Sequence, residues 1–247
     1  MDARDGEVRM SEAWIDIEGR GPALLIGDHA SDRVPDGIAL GVPEAVMREH
    51  VAIDIGVAPL ARALCARIGM PGILGNVSRL VIDLNREADA AGLVPKTSDG
   101  HAIPGNADLG DEGRGKRLAL FWLPYHAHVA EMITERAPKL LVSLHSFTPA
   151  LRGGGAPRPW QVGVLYNQDA RAARIAIPLL EAAGIVTGDN EPYSGQVLNA
   201  TMNRHGEGNG IPYLGLEVRQ DLIGDEAGVA AWCERLAPVI EAVIAAV

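Results

Sequence analysis

Apolar residues along the chain follow two alternating patterns. Short, nearly continuous runs at PALLIGD (22–28), GILGNVS (72–78), RLVIDLN (79–85), KLLVSLHS (139–146), QVGVLYN (161–167) and PYLGLEV (212–218) read as strands buried on both faces. Between them, 43–68, about 112–136, 169–183 and 225–246 carry apolar positions at helical spacing. The alternation predicts an α/β fold: a single domain spanning 1–247, with a mixed, partly parallel central sheet and helices on both faces. Ligands of such sheets gather outside the carboxyl ends of the strands. The last helix opens with Asp225 and Glu226 at its positive end and is apolar enough to pack on the sheet, so it reads as structural. Two long loops rich in Gly and Pro, 87–111 and 148–160, are of the kind that form functional lids or mobile connections.

Composition narrows the function classes. With 247 residues, 47% of them hydrophobic, the chain can bury one sizeable core. A net charge of -10 supplies no basic surface for a nucleic acid or an anionic membrane, so recognition of an anion falls to arginines inside particular motifs. Cys65 and Cys233 are far apart in helix-like segments, which argues against a disulfide framework. The opening MDARDGEVRMSEAW has no apolar signal core, and no run approaches the roughly 20 apolar residues needed to span a bilayer. These features predict a soluble, cytoplasmic protein acting on a small molecule.

The strand ends concentrate the chemistry. LLIGDH finishes at His29, KLLVSLH at His145, RLVIDLNR at Asn85 and Arg86, and YLGLEVR delivers Glu217 and Arg219. If these strands are neighbours, two imidazoles, several carboxylates and a group of arginines converge. Catalytic zinc takes three such ligands and keeps one position open for a water whose pKa falls to about 7. Taken singly, each His reads equally well as a polar strand end. The carboxylate ligand has two candidates: Asp32, in an H-x-x-D spacing after His29, and Asp54, four residues after His50 on what would be one helix face. Asp32 can instead cap the turn before Pro35, and Asp54 can simply initiate a helix over 55–68; Asp28 reads as structural. Arg79, Asn85 and Arg86 around a short strand suit a substrate carboxylate, with surface ion pairs as the bland alternative. Glu217 can move a proton during amide hydrolysis or pair with Arg219.

The segments DHASDRVP, HVAIDIGVAPLA, SRLVIDLNRE, SLHSFTP and LEVRQDLI together resemble the N-formylglutamate amidohydrolase family over about 22–223, and more distantly the zinc carboxypeptidases and aspartoacylases. The resemblance implies a zinc-carboxypeptidase-like (phosphorylase/hydrolase-like) fold and a zinc ion, or another divalent metal, held by His29, His145 and a carboxylate. Asp54 is favoured for that carboxylate, with Asp32 as a further ligand or its support. It implies Asn85 and Arg86 as a carboxylate clamp and Glu217 as the base. Arg79 and Arg219 become additional anion contacts or groups that orient Glu217. In EPYSGQVLNATMNRHGEGNG (191–210), which also holds Thr201, it implies Tyr193 and His205 as substrate hydrogen-bond partners, although its glycines equally fit an ordinary flexible loop. The implied substrate is N-formyl-L-glutamate, giving formate and glutamate as in histidine degradation.

Two other readings share these residues: a carboxypeptidase-like or other N-acyl amino acid deacylase, and a carboxylate-binding relative without catalysis. Scaffold alone does not choose among them. A serine or cysteine nucleophile fits less well, because no G-x-S-x-G occurs and neither cysteine has an adjacent His. His126 and His128 are two residues apart and cannot share a helix face, so they read as surface or supporting histidines rather than a second metal site.

Overall fold

The computed structural model describes residues 13–154 and 157–247; the opening segment to residue 12 and part of the 148–160 loop lie outside the described residues. The chain begins with Trp14–Ile17 (β1) and Ala23–Gly27 (β2), then a short helix Glu44–Met47 (α1), the helix Val57–Ile68 (α2) and Gly72–Gly75 (β3). A small hairpin, Thr97–Ser98 (β4) and His101–Ala102 (β5), leads to the helices Pro104–Ala107 (α3), Asp111–Arg117 (α4) and Leu123–Arg136 (α5), the last two joined by a π-helical turn at Leu118–Trp122. Leu140–Phe147 (β6), Val162–Leu165 (β7), Arg171–Ala182 (α6), Thr187–Asp189 (β8), Ala200–His205 (α7), Tyr213–Arg219 (β9) and Glu226–Ala246 (α8) complete the order.

Seven strands form one sheet in the order β1-β3-β2-β6-β9-β7-β8. The central run β3, β2, β6 and β9 is parallel; β1 is antiparallel to β3 and β7 antiparallel to β9. Both faces are covered, as the near-continuous apolar runs require. In β2, Leu25 enters the core formed with α2, α6 and α8, whereas Leu24 and Ile26 enter the opposite core with Phe121, Tyr125 and Val129 of the α4–α5 arm. That period of two divides one apolar run between two cores. Asp225 caps α8 by accepting a bond from the Gly228 N–H at 2.8 Å.

Three expectations need correction. Residues 79–85 form buried turns, not a strand: Val81 N–H bonds back to the Ser78 carbonyl, and the Ser78 hydroxyl donates to Ala52 O at 2.8 Å. Leu80, Val81, Ile82 and Leu84 are apolar because the second core surrounds them, so their pattern matches that of a buried strand. The expected helix over 43–68 is broken by turns at 48–56, where Gly56 takes a left-handed conformation with φ +81°. His50 and Asp54 therefore do not share a helix face. The 87–111 loop holds β4, β5 and α3, and its Asn106 amide donates to Leu80 O at 2.8 Å, which ties it to the second core. β1, β8 and α7 are too short to stand out as apolar periods.

Candidate metal centre and substrate cleft

The parallel strands deliver their carboxyl ends to one edge. β2 runs into Asp28 and His29, β6 carries His145, and β9 places Glu217 directly opposite His145 in the ladder. Asp54 joins them from the turn before α2, its N–H bonded to His29 O at 3.0 Å. One ligand atom from each of His29, Asp54 and His145 lies within 4.8 Å of the others, and all three residues are buried.

The hydrogen bonds set which atoms face inward. His29 Nε2 lies 2.7 Å from Asp83 Oδ1 and carries its proton toward that carboxylate, and His145 Nε2 faces Asp28 Oδ2 at 3.3 Å. His29 Nδ1 then faces Asp54 Oδ2 at 3.4 Å, and His145 Nδ1 lies at hydrogen-bond distance, 2.8 Å, from the same oxygen. Arg79 holds the other Asp54 oxygen at 3.0 Å and Asp83 Oδ2 at 3.2 Å. His29 Nδ1 is buried without a hydrogen-bond partner. Two imidazole nitrogens and a carboxylate oxygen thus converge on one point, a donor set that could hold a metal ion and suits zinc. Asp28 is also held by the Tyr125 hydroxyl at 2.8 Å and the Thr201 hydroxyl at 2.9 Å.

The electrostatics follow the same pattern. Burial opposes charge on Asp54 and Asp83, yet the neighbouring His29 and Arg79 charges hold both carboxyls below the usual carboxylate range. Burial also opposes charge on His145, but its Asp28 and Asp54 bonds raise it well above an ordinary imidazole. Glu217 behaves oppositely. Burial and then the Asp54 charge push it up to about 7 against the pull of His145 and Arg79, and its Oε2 is buried without a partner.

A cleft of about 190 Å³ opens over these groups, lined by His29, Asp54, His145, Glu217, Asn85, Arg86 and Tyr193 among others. At about 30 Å³ per water it has room for a small ligand. Asn85 Oδ1 accepts from Thr201 N–H at 2.9 Å, which turns its amide nitrogen toward His145, 3.5 Å from Nε2. Arg86 keeps only a loose contact with Asp83, at 3.7 Å, and is more exposed than Arg79.

Three expected site positions fall elsewhere. Asp32 is exposed and outside the cluster, because the chain leaves the sheet edge after Ala30. Arg219 pairs with Asp221 at 2.8 Å and donates to Trp160 O, away from the cleft. His205 stacks behind the site on His126 and does not line the cleft. His126 Nε2 donates to Leu84 O, so its Nδ1 accepts from His205 Nε2 at 2.9 Å, and burial lowers both to about 4. His126 and His128 are buried rather than on the surface; they point to different partners, His128 meeting Asp16 at 2.8 Å. Asp83 and Asp28 were not foreseen as contacts of the imidazoles. Their signal was a carboxylate inside an otherwise apolar run, a residue that needs a buried partner.

A family model described as N-formylglutamate amidohydrolase matches residues 21–224. The crystal structure of a gene product from Agrobacterium tumefaciens is 30% identical with a TM-score of 0.91, covering 95% of this chain and 96% of that one. An N-formylglutamate amidohydrolase from Ralstonia eutropha JMP134 has the same fold at 18% identity, with a TM-score of 0.71 over 95% of this chain and 98% of that one. No curated protein matches the chain.

Proposed function

The chain belongs to the N-formylglutamate amidohydrolase family, and from that premise we propose that it is a zinc-dependent amidohydrolase that cleaves N-formyl-L-glutamate, or a close N-acyl amino acid, to the carboxylate and the free amine. The observation that carries this reading is the inward lone pair of His29 Nδ1, buried and without a donor, beside Asp54 Oδ2 and His145 Nδ1. His29, Asp54 and His145 would hold the ion. A zinc ion there supplies Lewis acidity that polarises an amide carbonyl and acidifies a water.

The protein's own groups do the rest. Glu217, raised to about 7, is suited to accept a proton from the attacking water and to return it to the leaving nitrogen as the C–N bond breaks. Arg86, through its planar fork, and the Asn85 amide bind the amino acid's carboxylate and set the acyl group over the cluster. Arg79 is already engaged by Asp54 and Asp83, so it acts by fixing the inward oxygen of Asp54.

The test is formate release by zinc-loaded protein beside Glu217→Gln, with metal content measured on both. The variant is expected to retain zinc and lose turnover by roughly 10²- to 10⁴-fold. Full activity in the variant would remove Glu217 from the mechanism, and no formate from the wild type would sink the substrate assignment.

A further inference from the structure

The cleft contains more than one anion-binding group, and they differ in how they are engaged. Arg79 is tied to two carboxylates, and His50 faces Asp99 at 3.0 Å. Arg86 is nearly free beside the Asn85 amide. Another guanidinium, Arg158, stands where this cleft meets a neighbouring hollow of about 540 Å³. Its NH1 donates to Thr148 O at 3.0 Å and to the Tyr193 hydroxyl at 3.1 Å, and both of those residues line the cleft. The guanidinium carbon also lies 5.0 Å from the Tyr193 ring centre. Among the described residues no carboxylate lies within ion-pair distance of Arg158, although Glu191 lines the same hollow.

We propose that Arg158 and Tyr193 form a second carboxylate subsite, which selects an acidic side chain on the amino acid whose main-chain carboxylate is held by Arg86 and Asn85. Arginine has five N–H donors. NH1 is committed to Thr148 and Tyr193, which leaves Nε and NH2, the side-on edge of the fork, for a carboxylate. The Tyr193 oxygen accepts from Arg158, so its own proton is free to donate to the same anion. The contact from Arg219 to Trp160 O, with the Arg219 N–H bonded to Gln161 O at 2.9 Å, anchors the segment that carries Arg158 to the end of β9. Arg219 is thus a positioning residue for this subsite. A neutral isostere such as an amide would leave the guanidinium edge facing a group that cannot neutralise it.

This inference rests on the amino-acid-binding part of the proposed function, not on hydrolysis. The experiment is calorimetric binding of L-glutamate and L-glutamine to the zinc-loaded protein. Wild type is expected to favour glutamate on the order of tenfold to a hundredfold, the range of a charge-assisted hydrogen-bond pair. Arg158→Gln is expected to bring that ratio close to one, Tyr193→Phe to lower it partway, and Arg86→Gln to weaken both ligands with the ratio retained. A ratio unchanged in Arg158→Gln, or absent from the wild type, overturns the subsite. Formate release from N-formyl-L-glutamate is measured in parallel: its absence, with glutamate selectivity intact, counts against the hydrolase reading alone.

Discussion

His29 and His145 each turn Nε2 to a carboxylate and Nδ1 to Asp54. Carboxylates behind metal-binding imidazoles fix the tautomer and raise ligand basicity, and losing one weakens metal affinity by about 10- to 100-fold. Asp83→Asn is therefore expected to weaken zinc binding by that range, measured by competition with a chromophoric chelator. Equal affinity in the variant would show that Asp83 does not support His29. The same side chain is gripped by Arg79 and approached by Arg86, so it links His29 to both arginines. Asp83 is legible in the sequence only as an acid within an apolar run; its partner His29 lies 54 positions away.

At the scale of elements, the break before α2 aims Asp54. Gly56 has φ +81°, and a Cβ there would meet Ile223 O at 2.2 Å. Gly56→Ala combines a left-handed strain with a backbone clash and is expected to cost about 1–3 kcal/mol, read from the urea midpoint. A midpoint unchanged from wild type would count against this account. A second link joins α5 to β1: His128 bonds Asp16 at 2.8 Å and stacks on Trp14. Burial opposes charge on His128, but the Asp16 hydrogen bond and charge outweigh it and raise the pKa above 6.5. A folded-state value above the unfolded one stabilises fully below the unfolded pKa and is lost as pH rises through the folded value. The stability difference between wild type and His128→Asn is thus expected to be largest below about pH 6 and to shrink at alkaline pH, which paired urea titrations across pH would check. A difference that grows with pH would reverse the assignment.

For the whole molecule, His29 after β2, His145 on β6 and Asp54 from the turn before α2 come from distant parts of the chain, so an ion bound between them would tie those segments together. An ion that binds only the folded state adds about 2.7 kcal/mol at a hundredfold excess over its Kd. For a chain of this size that corresponds to roughly 5–10 °C in Tm; chelation is expected to lower Tm by that amount and zinc to restore it, with an unchanged Tm counting against the centre. Among the described residues no helix is long and apolar enough to cross a membrane. The sequence by itself determined the α/β alternation, five strands of the sheet and the polar groups at their ends, because burial on both faces leaves long apolar runs and active groups cluster where strands stop. It also carried the five segments that resemble the family. Only the tertiary structure put Asp54 rather than Asp32 beside His29 and His145, sent Arg219 and His205 away from the cleft, brought Asp28 and Asp83 behind the imidazoles and placed Arg158 beside Tyr193. Those outcomes depend on which buried polar atoms face one another across tens of residues. A periodicity reports that a residue is buried; only the packed fold selects its partner.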